Sequence, residues 1–163
     1  MIEQPLENIV ANLLRQRGWR LAVAESCTGG LVGHRITNIP GSSTYYLGSI
    51  TAYAYEAKVR LLGVKWESLE KYGAVSEKVV LEMALGVRRT FAADIGVAVS
   101  GIAGPGGGTP EKPVGYTWIG LNTPYFETAR QFTWNQDRLG NKALSADATL
   151  QLLADFLRDQ ING

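Results

Sequence analysis

The chain has 163 residues, 45% of them hydrophobic and 19% charged, with a formal net charge of +1. That length fits one domain, 1–163, with a buried core, and the composition excludes a disordered chain. Near-neutral charge argues against nucleic acid or an anionic membrane as a partner, and a single Cys and a single His supply neither an internal disulfide nor a typical zinc site.

Residues 1–20 carry acidic residues and helical periodicity in place of the basic start, apolar run and cleavage site of a secretory leader. No apolar stretch is long enough to cross a bilayer, and a cytoplasmic location is expected. Leu6, Ile9, Val10, Leu13 and Leu14 recur at helical spacing, with Gly18 placed to end the helix. LAVAES (21–26) reads as a buried strand, and Thr28 to about Asn38 as a helix leaving a Gly-rich turn. Residues 45–53 read as a strand and Glu56–Leu62 as a short helix. Ser76 is placed to cap a helix over about 77–92, and 95–101 reads as a second buried strand. A Gly/Pro loop follows, then a hairpin built from GYTWIGL and ETARQFTW, then a helix from about Leu139 to Leu157. This alternation predicts an α/β fold, a three-layer α/β/α domain with a mixed, mostly parallel sheet of about five strands. Trp66, Trp118 and Trp134 are expected in the core.

Four stretches could carry chemistry. In AESCTGG (24–30) a strand gives way to a helix. Its backbone N–H groups could hold a phosphate or an oxyanion, or Ser26 or Thr28 could merely cap the helix. Cys27 is intrinsically the better nucleophile, yet a lone buried Cys usually acts as a small hydrophobe. His34 stands eight positions after Ser26, roughly 12 Å along a helix, which is too far for a Ser-His-Asp triad. In AYAYEAK (52–58), Tyr53 and Lys58 could serve as a base or could be ordinary sheet and surface residues. Residues 100–115 hold six glycines and three prolines, but they match neither a Walker A loop nor a dinucleotide fingerprint. Arg138, just before the last helix, could clamp a phosphate or face solvent.

Together these stretches resemble the CinA C-terminal domain family, also called the nicotinamide-nucleotide amidase family. The landmarks are AESCTGG (24–30), GSS (41–43), EAK with LLGV (56–64), GAVSE (73–77), SGIAGPGGG (100–108) with EKPVG (111–115), and Asp137-Arg138. The chain departs from the family's usual pattern at AYAY (52–55) where TYSN is common, at Gln136 where a glycine is common, and at Lys142 where a second arginine is often found.

The resemblance implies an amidohydrolase that converts nicotinamide mononucleotide to nicotinate mononucleotide and ammonia. It implies no cofactor, no metal and a homo-oligomer. It casts Ser26 as nucleophile and Lys58 with Tyr53 as the base system. Thr28, Gly29, Gly30, Ser42, Ser100, Gly101, Gly104 and Arg138 become the expected substrate contacts. Three alternatives stand beside it: a non-catalytic pyridine-nucleotide-binding relative, an interaction module linked to competence or DNA damage, and a thiol enzyme using Cys27.

Overall fold

A computed structural model describes residues 3–162, so Met1, Ile2 and Gly163 of the expected domain 1–163 lie outside the described residues. The elements are α1 (Leu6–Arg17), β1 (Leu21–Glu25), α2 (Leu31–Thr37), a 3-10 turn (Ser42–Thr44), β2 (Tyr46–Thr51), α3 (Tyr55–Leu62), α4 (Trp66–Tyr72), α5 (Glu77–Phe91), β3 (Ile95–Gly101), β4 (Tyr116–Asn122), β5 (Glu127–Thr133) and α6 (Arg138–Asn162). The five strands form one sheet in the order β2-β1-β3-β4-β5. β1 pairs in parallel with β2 and β3, while β4 is antiparallel to both β3 and β5. Four strands therefore share a direction and only β4 opposes it, giving the expected mixed α/β sheet with helices on both faces.

Strand alternation explains the layers. Leu21, Val23, Val97 and Val99 face α1, α2 and α6 in one core. Ala22, Ala24 and Ala98 face α3, α4 and α5 in the other. Small residues on the second face let α5 come close. A Cβ on Gly96 would sit 2.3 Å from the Ala84 carbonyl oxygen, and one on Gly120 would sit 2.9 Å from that of Val80. α5 begins as its sequence suggests, with the Ser76 hydroxyl accepting from the Val79 N–H at 3.3 Å, and it buries Val79, Val80, Met83, Ala84 and Val87.

Two readings need correction. α2 starts at Leu31, not Thr28, because Gly29 (φ 60°) and Gly30 (φ 105°) adopt left-handed backbone and hold residues 26–30 as a turn. Trp66 is 45% exposed. It opens α4, a short helix not foreseen in the sequence, which buries only Ser68 and Leu69, and its ring packs against Tyr55 at the surface. Trp118 and Trp134 are half-buried and pack against the two cores. No helix among the described residues is long and apolar enough to cross a membrane.

Candidate active site

The site forms where β1 leaves the sheet. Its last residue, Glu25, is fully buried beneath α2. One carboxylate oxygen accepts from the Thr28 hydroxyl (2.5 Å), the Gly30 N–H (3.2 Å) and the Val32 N–H (2.9 Å), and the other accepts from the Gly33 N–H (3.0 Å). The carboxylate thus satisfies the first amides of α2 and faces its positive dipole end. Gly33 lets α2 lie close to β2, since a Cβ there would stand 2.6 Å from the Tyr46 hydroxyl and 2.9 Å from that of Ser49. The Gly29 N–H donates to the Ser26 carbonyl (3.1 Å). The Gly29 and Gly30 amides of the turn expected to hold phosphate or an oxyanion are therefore already engaged, as are the Val32 and Gly33 amides that follow, and Thr28 serves the turn.

Ser26 turns to the opposite side of the sheet, toward α3. There the Lys58 ammonium nitrogen lies 3.0 Å from Ser26 Oγ, 2.8 Å from the Ala52 carbonyl oxygen and 3.0 Å from the Tyr53 carbonyl oxygen. Lys58 is 1% exposed although it carries an amine. α3 presents Lys58 inward because Leu62, four residues on, shares its buried face. Burial disfavours the ammonium and outweighs the opposing electrostatic influence of neighbouring Cys27, pulling the Lys58 pKa down to about 8. As a neutral amine, Lys58 can keep both carbonyls as acceptors of its two hydrogens and point its lone pair at the Ser26 hydroxyl. Cys27 faces the other layer, packed beside Gly101, where a Cβ would meet its sulfur at 3.1 Å. Burial pushes the Cys27 thiol up to about 11, which suppresses the thiolate.

Only the backbone of Tyr53 meets Lys58. Its ring is 61% exposed, and its hydroxyl accepts from Arg138 Nη2 at 3.2 Å. Arg138 Nη1 donates to the Gly104 carbonyl at 2.6 Å, tying the Gly-rich loop to the start of α6. A groove of about 490 Å³ opens beside Arg138, walled by Ala103, Pro105, Val114 and Leu139. Ser100 donates its hydroxyl to the Ala74 carbonyl (2.9 Å) and fixes the 73–76 turn, which Lys112 also holds through the Tyr72 and Val75 carbonyls. Gly101 lets the loop leave β3, since a Cβ there would meet Thr117 Oγ1 at 2.6 Å. Ser42 is not brought to the site. It precedes β2, whose Tyr46 pairs with Leu21 at the start of β1, whereas Ser26 follows the Glu25–Thr51 pair at the far end.

Glu25 escaped the sequence analysis, and Lys142 entered it only as a departure from the family's pattern. Glu25 could have been found from its place, an acid at a strand end just before a Gly-rich helix start. Lys142 is half-buried on α6, with its amine 3.9 Å from where a Gly29 Cβ would stand, so a cation borders the Ser26 turn.

Against known proteins, the model of the CinA C-terminal domain family matches residues 3–157. The chain belongs to that family. It is 49% identical over 146 residues to a CinA-like protein of Salinibacter ruber, covering 90% of this chain and 35% of that protein. It is 47% identical over 156 residues to a CinA-like protein of Kosmotoga olearia, covering 96% and 37%. The chain therefore spans little more than a third of those relatives' length. Among solved structures, a CinA superfamily protein from Klebsiella pneumoniae superposes with a TM-score of 0.90 at 32% identity, covering 96% of this chain and 99% of that one. The competence/damage-inducible protein CihA of Agrobacterium tumefaciens gives a TM-score of 0.88 at 33% identity, covering 97% and 99%.

Proposed function

We propose that this family member is an amidase that hydrolyses the carboxamide of nicotinamide mononucleotide through an acyl-enzyme on Ser26. The observation that carries the reading is the buried Lys58 amine 3.0 Å from Ser26 Oγ. A serine needs a base in contact to act as a nucleophile, and a lysine acts as one when burial lowers its pKa. With a pKa of about 8, roughly a tenth of Lys58 is neutral at pH 7, against about four in ten thousand for an ordinary lysine.

In the proposed cycle neutral Lys58 takes the Ser26 proton as Oγ attacks the carboxamide carbon. The resulting ammonium gives that proton to the leaving nitrogen, and ammonia departs. Water, deprotonated by the same amine, then cleaves the ester. The Ala52 and Tyr53 carbonyls hold Lys58 in place for both transfers. With the α2 amides engaged by Glu25, recognition of the substrate phosphate falls to Arg138 and Lys142 at the start of α6. Tyr53 then acts through its carbonyl on Lys58 and through its hydroxyl on Arg138.

The test is ammonia release from nicotinamide mononucleotide by purified protein in EDTA, beside a Ser26→Ala control. Release by the wild type alone is expected. Equal release by both proteins, or none from wild type that binds the nucleotide in calorimetry, would overturn the reading.

A further inference from the structure

A second concavity, of about 630 Å³, lies away from Ser26 between the end of α3 and the outer face of α5. Four basic side chains line it: Arg60 on α3, Lys65 just after it, and Lys78 and Arg89 on α5. None of the four has an ion-pair or side-chain hydrogen-bond partner among the described residues. Elsewhere two arginines are ion-paired, Arg35 with Glu7 and Asp147, and Arg130 with Asp155.

The two acids at the groove are held by neutral partners. Glu82 Oε1 accepts from the Ser68 hydroxyl at 3.1 Å, and Glu127 Oε2 accepts from the Asn122 amide at 3.3 Å. Cations thus outnumber anions by four to two. The second Glu82 oxygen is shielded from water and has no partner, which leaves an acceptor in the wall. The floor is apolar, formed by Leu61, Leu81 and Leu85, and Leu61 is 48% exposed.

Lys78 and Arg89 are eleven residues apart on one helix, about 16 Å along its axis. Positive charge therefore stands at both ends of a leucine-floored trough whose volume suits a small molecule. Its chemical complement is elongated, with a flat apolar body and several negative charges. The trough is also firm. Gly86 of α5 lies so close to α3 that a Cβ would fall 1.8 Å from the Leu62 carbonyl oxygen.

We propose that the α3–α5 groove is a binding site for an organic polyphosphate of the nucleoside di- or triphosphate class. The basic side chains hold the phosphates and the leucines receive the base. This site is separate from Ser26 and Arg138, and binding there does not depend on the chemistry at Ser26.

The test is calorimetric titration of the full chain with ATP in EDTA-containing buffer, repeated on Arg60→Ala/Arg89→Ala, on Lys78→Glu and on Arg138→Ala. All four altered side chains are exposed, so thermal melts should show intact folds. Saturable binding by the wild type is expected. It should fall about tenfold or more in the first two variants, persist in Arg138→Ala, and exceed that of inorganic triphosphate, which lacks a base. Absence of saturable binding near 1 mM ATP, where even ~4 kcal/mol would register, would overturn the proposal. So would binding lost in Arg138→Ala but kept in the groove variants, since that pattern places the nucleotide at the Ser26 site.

Discussion

Ser26 and Cys27 are adjacent in the chain, yet the sheet sends them to opposite layers. Ser26 meets a buried amine at 3.0 Å, whereas Cys27 lies among apolar neighbours with its thiol pushed up to about 11. By intrinsic reactivity the thiol would be the nucleophile. Placement reverses that order, because the layer containing α3 supplies a base and the layer containing α2 and α6 withholds one. Glu25 sharpens the contrast. It shares the Cys27 side, and its carboxylate is engaged by four donors from the turn and helix that follow. One side of the turn is built to hold the backbone still, the other to move a proton.

Several changes test this division. The largest effect is expected from Ser26→Ala, which should lower kcat for ammonia release by about 10⁴-fold or more with nucleotide affinity retained. Next is Lys58→Met, which removes the base and should cost 10²- to 10⁴-fold in kcat, the usual range for a general base. Glu25→Gln probes the structural side. An amide cannot accept from all four donors, so chemical denaturation should show a loss of about 1–3 kcal/mol. Unchanged stability would mean that the capping network does not hold the turn. Tyr53→Phe should raise KM by up to about tenfold, through Arg138, while leaving kcat within about threefold, under 1 kcal/mol of barrier. A collapse of kcat would instead place the phenol in proton transfer. The smallest effect belongs to Cys27→Ala, whose kcat should also stay within about threefold.

Much of the fold was legible because its signals are periodic. The Leu6–Leu14 stripe, the apolar run at 21–26, the Ser76 cap and the 95–101 strand all reappear where hydrophobic spacing and capping chemistry put them. α4 was not legible, since seven residues burying only two give too little periodicity to register. The site was half legible. Ser26 and Lys58 stand out by residue type and resemblance, but their contact spans 32 positions and depends on α3 meeting the carboxyl end of β1. The engaged amides of the Gly-rich turn were not legible. A glycine pattern shows that backbone can approach a ligand and does not reveal that Glu25 fills that role. Nor did the GSS motif show that Ser42 lies at the other end of β1 and β2.

The central claim, that neutral Lys58 activates Ser26, is tested most directly by the pH dependence of kcat/KM for ammonia release from nicotinamide mononucleotide. The amine must lose its proton to act, so activity should climb about tenfold per unit of pH below the Lys58 pKa and level off above a midpoint near pH 8. A profile flat from about pH 6 to 9, or one that falls through that midpoint as pH rises, would contradict the account.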